Sequence, residues 1–285
     1  MTASTGAGPR AVAVGLVAFG LFVAGFLLFG ALGWPGTPDS CTLPEGNCYC
    51  EAPAAPATVG KQPLNTWSNL GAVVAGLVIL AIAERDRRRR EGASRSGNPM
   101  TAGGPYALAY GAVVLALGPG SMAFHGSLTR VGGWLDTLSM ILFITFVLVY
   151  NLARVLRRDD DPATAAIGYV GLNSVLAALT WVVPGTGVLV FALVVVGVVG
   201  LELAIAHRGL AGVRRARSPW LPAALGVFLV ALAIWWLSWT GGPLCDPDSL
   251  LQGHAVWHVL AEAVVPLLLF AHLRTETRTS SADPA

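Results

Sequence analysis

Apolar positions along this chain are gathered into eight long runs, parted by short polar, glycine-rich or basic stretches. The runs lie at about 11–33, 64–83, 105–126, 134–153, 163–182, 187–206, 219–240 and 252–273. Crossing ~30 Å of hydrocarbon takes about 20 helical residues, and a helix satisfies its own backbone where no water is present. The pattern predicts an all-α fold, a polytopic membrane helix bundle with a seven-helix core and one extra N-terminal transmembrane helix. Only Arg10 precedes the first run, which ends in Gly30-Ala-Leu-Gly-Trp-Pro-Gly36 without a small-x-small cleavage site. It is read as an uncleaved helix in preference to a removed signal peptide. The expected layout is an anchor helix over 1–34, a cysteine-containing loop over 35–63, a seven-span domain over 64–273 and a tail over 274–285.

Composition supports the membrane class. Hydrophobic residues make up 54% of the 285 and charged residues only 12%, about half the charged share of a soluble domain. No nucleic-acid module is present, and the arginine runs read as cytoplasmic loops. With the N-terminus inside, eight spans place all but two of the 18 basic residues on the cytoplasmic face, leaving Lys61 and Arg130 outside. Both termini are then cytoplasmic. All four cysteines (Cys41, Cys48, Cys50, Cys245) fall on the outer face, where disulfides form. Lys61 is the only lysine among many arginines, alanines and glycines; this composition is that of a GC-rich bacterial gene and points to a bacterial plasma membrane.

Polar residues inside the runs carry the chemistry. Ser121-Met-Ala-Phe-His125 closes the third run, Asp136 opens the fourth, and His254-Ala-Val-Trp-His258 opens the eighth. Residues four apart share a helix face, so each motif presents two polar groups to one point. The topology brings all five residues to the outer end of the bundle. Such groups are costly in lipid unless paired or bound to metal. Three histidines with a fourth position open to water form the ligand set of a catalytic zinc. His125, His254 and His258 are therefore the expected metal ligands, with Asp136 and Ser121 as the catalytic pair.

Asn65, Ser68 and Asn69 line one side of the second run, as interhelical hydrogen-bonding groups or as support for the site. Glu262, one turn beyond His258, is expected to orient the site, to line a lipid cavity or, equally, to pair with a donor elsewhere in the bundle. Glu202 is read as an ion pair with nearby Arg208, and His207 and His272 as structural. The Arg130-Val-Gly-Gly133 stretch is read as a tight turn between the third and fourth spans.

Tyr49-Cys50-Glu51, then Asn65-Thr66-Trp67-Ser68-Asn69, Ser121-x3-His125, Asp136 and His254-x3-His258 together resemble the alkaline ceramidase family. That family belongs to a wider group of seven-helix hydrolases that includes the adiponectin receptors. The similarity covers about residues 48–273. In the family the three histidines bind zinc, and the serine and aspartate complete the site. The resemblance thus implies a zinc-dependent intramembrane hydrolase that cleaves the amide bond of ceramide to a long-chain base and a fatty acid. Glu51 belongs to the acidic calcium site of the animal enzymes. Here, however, Cys48 stands where an aspartate is expected, Pro53 replaces an asparagine and Gln62 a glutamate, so Ca2+ dependence is not carried over.

Four cysteines allow three pairings, and Cys48–Cys50 is the least favourable because of its short loop. The favoured set is Cys50–Cys245 with Cys41–Cys48, and the resemblance supports the long-range bond. Asp136 is expected to orient water, accept its proton and pass it to the leaving amine; Ser121 holds the water or donates to the developing oxyanion. Two alternatives from the same superfamily are a receptor-like protein, with Asp136 as fourth ligand of a structural zinc, and a lipid-remodelling esterase.

Overall fold

The computed structural model of the chain describes residues 10–39, 49–54, 59–90, 97–158 and 161–278. Within them lie eight helical spans long and apolar enough to cross a membrane. They are built from α1 (Arg10–Leu32), α2 (Pro63–Trp67) continued by α3 (Leu70–Arg90), α4 (Pro105–Ser127), α5 (Arg130–Val155), α6 (Pro162–Val182), α7 (Thr186–Arg208) and α8 (Trp220–Leu237). The last span joins α9 (Gly253–Trp257), a π-helical segment (His258–Val264) and α10 (Val265–Leu273). A two-stranded antiparallel ribbon, β1 (Val213–Arg215) with β2 (Glu276–Arg278), lies at the arginine-rich end. The protein is an all-α polytopic membrane bundle.

Helices α4 and α5 form its centre. They pack on each other and on α3, α7 and the last span. Close approach of α3 to α4 depends on glycine: a Cβ on Gly76 would fall 2.5 Å from the Leu115 amide nitrogen. Lipid tails are as apolar as leucine, so small residues and polar links, not hydrophobicity, hold such helices together. The Tyr110 hydroxyl donates to the Pro266 carbonyl at 2.8 Å, tying α4 to α10. Thr145 donates to Asn173 Oδ1 at 2.9 Å, tying α5 to α6. Val14 and Leu21 of α1, Ile167 of α6, Val196 of α7 and Leu229 of α8 are exposed, which suits surfaces that face acyl chains. Helix α1 lies along α3 and α4, and its Phe26 is buried against Trp34 and Trp67.

The α4–α5 junction is tighter than the glycine pair suggests. The chain turns at Leu128, whose left-handed backbone (φ 51°) caps α4, and at Thr129, whose side chain accepts from the Gly132 amide at 3.2 Å. Arg130–Gly133 is therefore the first turn of α5 and not a loop. Its glycines serve close packing: a Cβ on Gly132 would meet Ser127 Oγ at 2.6 Å. The short turn holds His125 and Asp136 at the same end of the bundle.

At the opposite end the ion pair of Glu202 differs from expectation. Its partner is Arg215 of β1, at 3.1 Å, rather than Arg208, and His272 Nε2 lies 3.0 Å from its other oxygen. Arg215 and Arg154 also pair with Glu276 of β2. Hairpin folding brings the later arginine onto Glu202, where both side chains are almost fully buried. Breaking a buried pair from one side strands its partners. Arg215→Met is expected to cost about 3–5 kcal/mol, read as a lowered unfolding midpoint in detergent.

Candidate metal centre

The histidine end is assembled from three directions. Helix α4 supplies Ser121 and His125, α9 and the π segment supply His254 and His258, and the chain entering α2 supplies the groups that hold them. Backbone bonds join these parts: the Lys61 amide donates to the Gly126 carbonyl at 3.1 Å and the Gln62 amide to the His125 carbonyl at 3.0 Å. They satisfy carbonyls that the end of α4 would otherwise leave orphaned.

The three imidazoles are buried, and one nitrogen of each lies within 4.8 Å of the others. His125 Nδ1 lies 2.7 Å from Gln62 Oε1, while Gln62 Nε2 donates to the Glu51 carbonyl at 3.1 Å. This second bond sets the amide's orientation, so Gln62 Oε1 accepts a hydrogen bond from His125 Nδ1–H. The Ser68 hydroxyl donates to the Asn65 carbonyl at 3.0 Å, leaving its oxygen to accept from His258 Nδ1 at 2.8 Å. His125 is thereby fixed as its Nδ1–H tautomer, with the Nε2 lone pair turned inward, while His258 Nδ1 is held between Ser68 Oγ and the Asn69 side-chain amide, 3.2 Å away. His254 Nε2 lies 3.2 Å from His125 Nε2. Two nitrogens on one tetrahedral zinc, at Zn–N ≈ 2.0–2.1 Å, stand about 3.3 Å apart. The donor set and its tethers fit a metal ion.

Other residues named from the sequence fall at graded distances. Ser121 is fully buried, with its Oγ 3.3 Å from His258 Nε2, and it neighbours the Asp136 carboxylate. Asp136 is buried but lies outside the three-histidine group. It lines a cavity of about 320 Å³ with Tyr49, Arg130, Trp134, Trp181 and Trp239. Glu51 serves the start of α2. Its carboxylate accepts from the Leu64 and Asn65 amides at 2.7 and 2.8 Å, capping α2 from a distant loop. Burial pushes the Glu51 carboxyl above its ordinary value, and those two amides pull it back down. Asn65 acts on the centre through its carbonyl, which also accepts from Asn69 at 2.7 Å. Glu262 is buried on the π segment and lines an apolar cavity of about 80 Å³ with Leu117, Met140, Phe191, Phe228 and Trp257.

Cys50 and Cys245 form a disulfide across 195 residues; Cys41 and Cys48 lie outside the described residues. The bond, with a Cys50 amide donating to Thr240 Oγ1 at 3.1 Å, holds the neighbouring Tyr49 over the site. The Tyr49 ring lies 4.1 Å from His254 and 5.1 Å from His125, centroid to centroid. Burial, reinforced by the charges of Asp136 and Asp39, holds its phenol well above the ordinary value, so it stays a neutral hydroxyl. Tyr49 and Gln62 were absent from the expected site. Gln62 is a departure from the family's glutamate, and its contact with His125 spans 63 residues, beyond the reach of any local pattern.

Groups that orient metal-binding histidines typically change metal affinity 10–100-fold when removed. Gln62→Leu is expected to weaken zinc binding by about that factor, measured by competition with a chelator. Gln62→Glu, which keeps an acceptor for Nδ1–H, should retain most of the affinity.

Eight membrane-spanning helices among the described residues, with a buried histidine triad at one end that could hold a metal ion, define a class: an integral membrane protein with a candidate metal centre. A family model described as Ceramidase matches residues 49–284, and the chain belongs to that family. Membership implies a hydrolase acting on amide bonds, of the ceramide-hydrolysing kind. No curated protein matches the chain.

Proposed function

We propose that this protein is a zinc-dependent intramembrane amidase that cleaves ceramide-like N-acyl lipids to a long-chain base and a free fatty acid. The observation that carries this reading is a buried triad, His125, His254 and His258, with one nitrogen of each within 4.8 Å of the others and with His125 held by Gln62 and His258 by Ser68. When bound, zinc supplies Lewis acidity toward the amide carbonyl and acidifies water in the fourth position. The protein supplies the rest. Asp136, beside Ser121 and open to the cavity under Tyr49 and the tryptophans, accepts the proton of the attacking water and returns it to the departing amine. Ser121, between His258 and Asp136, donates to the oxygen on which charge develops. The apolar cavity beside Trp257 takes an alkyl chain.

In this reading residues 64–273 form the hydrolase domain, 1–34 its anchor, 35–63 a loop carrying Tyr49 and Glu51, and 274–285 a tail. The charge distribution supports cytoplasmic termini and a centre toward the outer face of a bacterial plasma membrane. The test is product analysis of lipid extracts incubated with purified protein, with and without a zinc chelator. A chelator-sensitive release of long-chain base supports the reading. Release of a lysolipid indicates an esterase, and no release indicates a receptor-like protein.

A further inference from the structure

Glu262 has no task in that mechanism, and its setting is unusual. It is buried among apolar side chains at 4% exposure, and its Oε2 has no hydrogen-bond partner. An unmatched buried polar oxygen is costly, so such groups in membrane spans mark functional sites. The helix is also locally widened. Residues His258–Val264 form a π segment that begins on a candidate metal ligand and contains Glu262, and π segments concentrate at functional sites. Four residues past His258, Glu262 stands about one turn deeper in the bundle. Trp257, Ala261, Glu262 and Val265 all line the same cavity, which is otherwise walled by aliphatic and aromatic side chains apart from Glu202.

Apolar walls admit an alkyl chain, and the lone oxygen calls for a hydrogen-bond donor on that chain. We infer that Glu262 is a specificity-determining residue, accepting a hydrogen bond from a hydroxyl group carried on the lipid chain near the scissile amide. The assignment rests on the proposed cleavage of N-acyl lipids and adds the residue that reads the hydroxyl such a lipid carries. The amide N–H is present in every such lipid, so only a chain hydroxyl distinguishes substrates through this contact. A site built around a hydroxyl penalises the analogue that lacks it, because the buried acceptor is then left unpaired.

The test measures equilibrium displacement of a fluorescent long-chain lipid from purified protein in nanodiscs. The competitors are matched N-acyl lipids with and without a hydroxyl next to the amide-bearing carbon. The native protein is expected to favour the hydroxylated member by roughly ten- to a hundredfold. Glu262→Met should bring that ratio close to one, and Glu262→Gln, which keeps one acceptor oxygen, should give an intermediate ratio. A native ratio near one, or a ratio unchanged in either variant, overturns the assignment; if Glu262→Met does not fold, the ratio of Glu262→Gln decides. Turnover of the same lipids is measured alongside. Selective binding without any turnover would leave Glu262 as assigned and overturn the amidase reading instead.

Discussion

Asparagine in place of Asp136 is expected to lower turnover of an N-acyl lipid by about 10²–10⁴-fold, with metal content and unfolding temperature close to native. The side chains have nearly the same shape, so packing at this buried position is conserved. What is lost is the capacity to accept a proton. The position of Asp136 separates this outcome from a structural one. It stands outside the group whose nitrogens lie within 4.8 Å of one another, yet borders the cavity under Tyr49 and neighbours Ser121. Ser121→Ala, measured beside it, should lose on the order of 10², since the centre keeps its base. Loss of bound zinc in Asp136→Asn would make the carboxylate a fourth ligand and favour a structural metal in a receptor-like protein.

Removing a histidine acts on the metal itself. His258→Ala and His125→Ala should each purify with little or no zinc, against about one ion per chain in the native protein, as read by elemental analysis. Each loses one of three ligands and also strands a tether: Ser68 in the first case, Gln62 in the second. Amidase activity should vanish with the ion and stay absent when zinc is returned. Native zinc content in either variant would refute the ligand assignment.

How much of this was legible in the sequence depends on the range of the signal. Eight apolar runs specify eight helices because lipid admits few other ways of satisfying a backbone, and the helix bounds follow those runs to within a few residues, except that α3 runs on past Ala83 through the arginines to Arg90. Ser121 with His125, and His254 with His258, were readable as pairs because four residues make a turn. Their meeting followed from counting spans, which puts the ends of α4 and α9 on one face of the membrane. The family was visible for the same reason: its motifs are short and local.

The sequence misled where a local rule met a tertiary one. Gly132 and Gly133 read as a turn, but their missing Cβ atoms let α5 start against α4. Glu202 seemed matched to the nearest arginine in sequence, whereas the ribbon folds Arg215 onto it. What decides the state of the centre lies in contacts between residues far apart in the chain, of which the sequence reading had favoured only the Cys50–Cys245 bond as a specific pair. Gln62 reaches His125 across 63 residues, Ser68 reaches His258 across 190, and the Cys50–Cys245 bond seats Tyr49 on His254. Apolar periodicity is set by lipid and is written along the chain. Tautomers and unpaired oxygens are set by single contacts between distant residues, and those exist only once the helices have packed.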